Sequence, residues 1–397
     1  MNDGVITNVP EFISELALKE TSLRLNPRGS VLIAMYGATI GKVGVLDIES
    51  TTNQACCACI CYKGILNWYL LYYLLAQREY FISKGFGGAQ PNISREKIVA
   101  TLFPLPPLSE QKRIVEEIEK IFGQIEVLKE NQEELNKLKD GLKNKVLDLA
   151  IQGKLVEQDP TDEPASVLLE KIKAEKLELI KQGKIKKDKQ ESYIYKGADN
   201  RHYEKIGSEI KDITEEIPFE IPNNWCWCRL KDICNIFGRI GFRGYTKNDI
   251  VTKGQGAITI SPSNIKNGKT VFDNNTYISW EKYYESPEIM IYNDDIILVK
   301  TGSSYGKSAI VLNLKEKATL NPQLVVLKYI LTNRQYLDCI LQSSFSINQF
   351  EDFVIGTAIP TFSQEKLSQL LLPLPPLSEQ MRIVEKLKNV KCFIEHL

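Results

Sequence analysis

Apolar positions along this 397-residue chain follow two different periods, and the two alternate. Short, nearly continuous apolar runs at residues 30–36, 43–46 and 55–62 read as strands, followed by a helical stretch over 66–83. At residues 108–152 the pattern changes. Ile114, Ile118, Ile121, Ile125 and Leu128 recur in four-three alternation, the spacing resumes at Leu135, Leu138 and Leu142, and it closes with Val146 and Leu149. That is a coiled-coil seam with one phase slip between Leu135 and Leu138. Strand-like runs return at 296–299 and 324–330, and the chain finishes on a second helical seam, Ile383, Leu387, Val390, Ile394 and Leu397.

The alternation is a duplication. The octapeptide PLPPLSEQ stands at Pro104 to Gln111 and again at Pro373 to Gln380, each time continued by Arg-Ile-Val-Glu and each time opening a helix. Ser109 is the expected N-cap of the first. Upstream, Gly88 to Ser94 answers Gly356 to Ser363, and Met35-Tyr-Gly-Ala-Thr-Ile-Gly-Lys42 answers Lys300-Thr-Gly-Ser-Ser-Tyr-Gly-Lys307. A period this long means an architecture of two like halves. The expected fold class is α+β: two mixed α/β domains, at 1–103 and 218–372, joined by long helices at 104–152 and 373–397 that pair as an antiparallel coiled coil. Residues 153–217 form the connector, lysine-rich, with a helix over 164–182 and a solvated, partly mobile run at Lys184 to Gln190. The first copy is shorter at its front than the second, which opens with the apolar segment Ile217 to Trp225 expected to pack a strand on the core.

Composition narrows the chemistry. No signal peptide or membrane-spanning run is evident, so a soluble, cytoplasmic protein with reduced thiols is expected. Acidic and basic residues balance at 50 each, so a nucleic-acid surface has to be local. Strand alternation puts Cys57, Cys59 and Cys61 on one face, a buried strand rather than a metal site, since no second cysteine pair or histidine is near. With two histidines in all and no nuclease or methyl-transfer signature, no catalytic residue and no metal ligand is expected.

Two segments suit DNA. The loops Gly37 to Lys42 and Gly302 to Lys307 have three residues between glycine and Gly-Lys where a P-loop has four. What remains is a tight loop presenting Thr39, Lys42, Lys300, Ser303, Ser304 and Lys307, either a surface for DNA backbone or an ordinary hairpin turn. Between Phe237 and Lys269 six basic residues face one acid, Asp249, with aromatics and glycines interleaved. Here Arg239, Arg243, Tyr245, Lys247, Lys266 and Lys269 would meet phosphates, with Arg239, Arg243 or Asn264 reaching base edges.

Together PLPPLSEQ with Arg-Ile-Val-Glu, the Met35 to Lys42 loop, Thr52-Asn-Gln-Ala-Cys56, Ile151-Gln-Gly-Lys-Leu-Val156 and Pro218-Phe-Glu-Ile-Pro222 resemble the DNA-specificity subunit of type I restriction-modification systems. The resemblance implies two target-recognition domains that read the two parts of a split site in double-stranded DNA, held apart by paired spacer helices. It implies a subunit without chemistry of its own. Methyltransferase (modification) subunits supply S-adenosylmethionine and adenine methylation, and the restriction subunit supplies ATP- and Mg-dependent translocation and cleavage. Against the family pattern the first domain starts inside its fold and the second spacer helix is short, so a truncated form is expected. The competing expectation is a coiled-coil scaffold that does not recognise DNA itself.

Overall fold

The computed structural model describes residues 1–85, 92–187, 191–239, 244–356 and 359–396. The sequence echo at 88–91 and 357–358, residues 188–190 of the lysine-rich run, Arg243 and the last seam residue Leu397 lie outside the described residues. The chain divides into two compact units, Met1–Leu135 and Asn136–Leu397.

In the first unit, β1 (Gly4–Ile6) and α1 (Glu15–Glu20) precede β2 (Val31–Ala34), β3 (Val43–Leu46) and β4 (Cys56–Cys59). They form a sheet in the order β1-β3-β2-β4, with Ile33 opposite both Val43 and Cys57. The expected helix over 66–83 is two, α2 (Asn67–Ala76) and α3 (Arg78–Ser83), and α4 (Arg95–Val99) follows. Leu71, Leu74 and Phe81 close over Val31, Ile33, Val43 and Cys57. Cys59 and Cys61 pack partly buried on the same cluster, as strand alternation demands. Among the described residues no group of His, Cys, Asp and Glu is arranged to hold a metal ion, and no helix is long and apolar enough to cross a membrane.

α5 (Leu108–Ile151) is one continuous helix of 44 residues. The connector contains α6 (Ala165–Lys181) and, against expectation, a three-stranded meander of β5 (Ser192–Lys196), β6 (His202–Ile206) and β7 (Glu209–Asp212). Its anchor is Arg229, whose buried guanidinium meets Glu204 at 2.7 Å and Glu216 at 2.8 Å.

The rest of the second unit runs β8 (Cys226–Arg229), α7 (Leu230–Ile233), β9 (Asn235–Gly238), β10 (Ile250–Val251), β11 (Gly256–Ile260), β12 (Ile265–Lys266), β13 (Lys269–Thr270), β14 (Thr276–Ser279), α8 (Trp280–Tyr284) and β15 (Met290–Ile291). Then come β16 (Ile296–Val299), β17 (Ser308–Ile310), β18 (Ala318–Leu320), β19 (Leu324–Lys328), α9 (Arg334–Leu341), α10 (Ser344–Phe353), α11 (Gln364–Ser368), β20 (Leu371–Leu374) and α12 (Leu377–His396). A five-stranded sheet, β10-β14-β11-β18-β15, and a four-stranded one, β17-β16-β19-β9, supply most of the β structure. Period-two alternation makes β16 and β19 serve two cores at once. Ile297, Val299, Leu324 and Val326 face the cluster of Ile258, Ile260 and Ile291, while Ile296, Leu298, Val325 and Leu327 face the helices α9 and α10. The opening at 217–225 is not a strand; its prolines hold an irregular path until β8 begins at Cys226, paired antiparallel with β20.

The seam residues divide. Ile383, Val384 and Leu387 of α12 join the core of the second unit with Tyr336, Leu337 and Ile340 of α9, whereas Ile121, Ile125 and Leu128 of α5 are exposed.

Candidate nucleic-acid interface

Both units build the same strand-loop-strand. In the first, Gly41 N donates to Ala34 O, Ala34 N to Lys42 O and Lys42 N to Thr39 O; in the second, Gly306 N donates to Val299 O, Val299 N to Lys307 O and Lys307 N to Ser304 O. Each loop begins and ends on a glycine with positive φ, Gly37 (62°) and Gly41 (74°) in one, Gly302 (101°) and Gly306 (81°) in the other. Glycine takes these angles with the least strain, which explains the repeated Gly-x-x-x-Gly-Lys as backbone geometry rather than a phosphate cradle. The two open readings of this motif thus meet: it is a hairpin turn, and it leaves polar side chains outside. Thr39, Ser303 and Lys307 are exposed, while Lys42, Lys300 and Ser304 are half-buried. Thr39 Oγ1 is committed to Tyr36 O at 2.8 Å. Burial pulls the Lys300 ammonium below the usual lysine range.

The basic segment sorts its residues differently from expectation. Arg239 is buried, donating from Nε to Leu320 O at 3.1 Å and from Nη2 to Thr319 Oγ1 at 3.2 Å, with its guanidinium carbon 5.4 Å from the Tyr245 ring centroid. The Tyr245 hydroxyl accepts from Thr259 Oγ1 and Asn321 Nδ2. Asn264 is also buried, and its amide binds Ser261 N, Val271 O and Asn275 Oδ1. In this conformation Arg239, Tyr245 and Asn264 build the domain and are not presented to base edges; an isolated buried guanidinium is too costly to leave without such acceptors. Lys247, Lys253, Lys266 and Lys269 stay exposed. Lys266 and Lys269 are direct cross-strand partners on the β12–β13 hairpin, whose turn residues Asn267 and Gly268 have φ of 51° and 70°.

Sequence reasoning passed over Lys317. Its ammonium sits 5.3 to 5.9 Å from the ring centroids of Trp280, Tyr283 and Tyr284, with Tyr284 largely exposed. The aromatic run Trp280-Glu-Lys-Tyr-Tyr284 was the available signal for this aromatic cluster.

The duplicated octapeptide also acquires a structural meaning. Gln111, fully buried, accepts from Leu66 N at 2.8 Å and donates to Gly64 O and Pro106 O; Gln380, fully buried, accepts from Asn333 N at 3.0 Å and from Thr332 Oγ1, and donates to Pro375 O. Tyr69 Oη donates to Pro104 O, and Tyr336 Oη to Pro373 O. In both units the helix is thus tied to its domain by the same side chain in the same way.

A family model for the type I restriction modification DNA specificity domain matches residues 2–137 and 222–396, one stretch for each half. The chain belongs to the type I restriction-modification DNA specificity family. Among family members it is 34% identical over 259 residues to the type I restriction enzyme EcoAI specificity subunit of Escherichia coli, which covers 63% of this chain and 39% of that protein. It is 27% identical over 268 residues to the EcoEI specificity subunit of Escherichia coli, covering 63% and 40%. The matches thus span about two-fifths of the length of these two relatives. The MjaVIII specificity subunit of Methanocaldococcus jannaschii matches the whole chain at 22% identity and 78% of its own length. Among solved structures, the fold resembles a chain described under complex assembly and conformational transition of the type I R-M system, with a TM-score of 0.56, 17% identity, and 94% of this chain and 76% of that one covered. It also resembles the HsdS subunit from Thermoanaerobacter tengcongensis, with a TM-score of 0.50, 16% identity, and coverages of 94% and 75%.

Proposed function

We propose that this member of the specificity family reads DNA and does no chemistry itself, directing methyltransferase and restriction subunits to a site in two parts. S-adenosylmethionine, ATP and Mg belong in this reading to the partner subunits. The observation that carries it is the repetition of one hairpin and one glutamine joint in both units, each feeding a helix: a protein built to present two similar surfaces. The exposed seam of α5 at Ile121, Ile125 and Leu128 supports a spacer role, since apolar side chains in that period bury themselves against another helix.

Exposed lysines supply the electrostatics. Lys266 and Lys269 stand directly opposite each other, an arrangement that repels in the free protein and is relieved when an anion lies across both. Lys247, Lys307 and Lys317 add positive charge that DNA phosphates would neutralise with release of counterions. Bases would stack on Tyr284 only where a strand is distorted, so the main contribution of this surface is to phosphate.

The test is binding of the chain, assembled with its methyltransferase subunits, to duplexes carrying the cognate site or a scrambled one at several salt concentrations. Preference for the cognate duplex, with an affinity that falls steeply with salt, supports the reading. Equal and weak binding to both duplexes rejects it in favour of a scaffold.

A further inference from the structure

Lys307 and the pair Lys266 and Lys269 stand on separate loops of the second unit, yet both loops are fastened to β17. Ser308, the first residue of β17 and the neighbour of Lys307, donates from Oγ to Asp338 Oδ1 at 2.8 Å. Asp338 Oδ2 accepts from Nε2 of Gln342, the C-cap residue of α9, at 2.9 Å. The Gln342 amide in turn lies against the tip of the β12–β13 hairpin: a Cβ at Gly268 would stand 3.1 Å from its Oε1. Around the other end of β17, Leu312 N donates to Thr270 Oγ1 at 3.1 Å and Thr270 Oγ1 donates to Ile310 O at 3.4 Å, which ties β13 to the same strand.

These contacts close a ring that runs from Ser308 through Asp338, Gln342, Gly268 and Thr270 back to β17. Ser308 is only 1% exposed, so its bond to Asp338 is shielded from competing water. Burial pushes the Asp338 carboxyl up to about 6, against the hydrogen bonds from Ser308 and Gln342 that hold it down. A carboxylate bonded to the neighbour of Lys307 opposes an approaching anion by charge alone. What it offers a cationic surface is therefore geometry.

We infer that Asp338, acting through Ser308 and Gln342, is a positioning residue: it holds Lys307 and the hairpin lysines Lys266 and Lys269 at a fixed separation, so that all three meet the phosphates of one duplex together. The inference rests on the DNA reading proposed above and deepens it, adding a residue that works on DNA only through its neighbours.

The test compares Asp338→Asn with Asp338→Ala in the chain assembled with its methyltransferase subunits, on the cognate duplex, at several salt concentrations and at a pH well above that raised value. Both variants remove the same negative charge, which by itself strengthens DNA binding. Asparagine still offers Ser308 an acceptor, and the Gln342 amide can turn over to accept from it; alanine does neither. Asp338→Asn should bind at least as tightly as the parent. Asp338→Ala should bind about fivefold more weakly at physiological salt, the loss of roughly one phosphate contact, with a salt slope smaller by about one unit. Adding Lys307→Ala to Asp338→Ala should then cost little more. A variant that is merely unstable loses affinity in proportion to its unfolded fraction, which thermal melts measure, and keeps the parent's slope. Should the alanine variant not fold, Gln342→Ala cuts the ring at the helix end and should show the same weaker, flatter binding. Asp338→Ala that binds as tightly as Asp338→Asn, or weakens at the parent's slope, overturns the inference while a parent that prefers the cognate duplex keeps the DNA reading. A parent without that preference fails the DNA reading first and this inference with it.

Discussion

Trp225 donates its indole N–H to Glu379 Oε2 at 2.9 Å, and the carboxylate it meets is fully buried. Burial pushes the Glu379 carboxyl above the ordinary 4.5 of glutamate, outweighing the hydrogen bonds from Trp225 and Gln158. A carboxyl that is harder to ionise in the folded state costs stability as pH rises. The folded chain holds its proton where the unfolded chain has lost it, so stability is fully retained below 4.5 and falls as pH rises through the folded value. Urea titrations at a series of pH values should show this loss. Glu379→Gln should flatten it, and Trp225→Phe should steepen it by removing the donor.

Gln380 satisfies the N–H of Asn333 and the carbonyl of Pro375 where water does not reach. Gln380→Ala should destabilise the second unit by about 2–4 kcal/mol, because each buried polar group left unpaired costs roughly 1–3 kcal/mol. Gln380→Glu keeps the acceptor but loses the donor to Pro375, and should fall in the same range. Chemical denaturation measures both, and a cost below about 0.5 kcal/mol for the alanine variant would rule out the joint as a structural anchor.

Substitutions in the basic segment should separate folding from binding. Arg239→Ala removes the donors to Leu320 and Thr319 and should lower the melting temperature, leaving the salt slope of DNA binding unchanged. Lys266→Ala and Lys269→Ala should do the reverse, each reducing the slope by about one unit with no loss of stability, since each also relieves the repulsion between the two lysines. Thermal melts and binding isotherms on the same variants decide it.

The loop glycines should differ in tolerance. A Cβ at Gly306 would lie 2.9 Å from the Phe350 ring, and φ there is 81°, so Gly306→Ala should cost about 2 kcal/mol or more. At Gly37, with φ of 62° and nothing within 4 Å, Gly37→Asn should cost less than about 1 kcal/mol, since asparagine tolerates the left-handed region. Equal losses at the two sites would contradict the packing at Gly306.

Period and repetition made the larger architecture legible. The run at 43–46 is β3, the seam from 108 is α5 to within a residue of its expected end, and the octapeptides open α5 and α12. The meander at β5 to β7 was hidden by its lysines and acids, although Tyr193, Tyr195 and Tyr203 alternate there and Asn200 and Gly207 mark its turns with positive φ. The fate of Arg239 and Asn264 was not readable at all, because local charge says nothing about which side of a strand end faces Leu320 or Val271. The same holds for Ile383: a seam residue looks alike in sequence whether its cover is a partner helix or α9.

The glutamine joint bears on how such proteins can change. Gln111 holds the backbone of Gly64, Leu66 and Pro106, and Gln380 that of Asn333 and Pro375, with Thr332 the only side chain drawn in among the described residues. Backbone is shared by all sequences, so the glutamine's grip survives drift in the side chains around it. A genetic crossover within the octapeptide would therefore hand an old helix a new domain with the glutamine's bonds to backbone still available, and a lineage could acquire a different surface in one step.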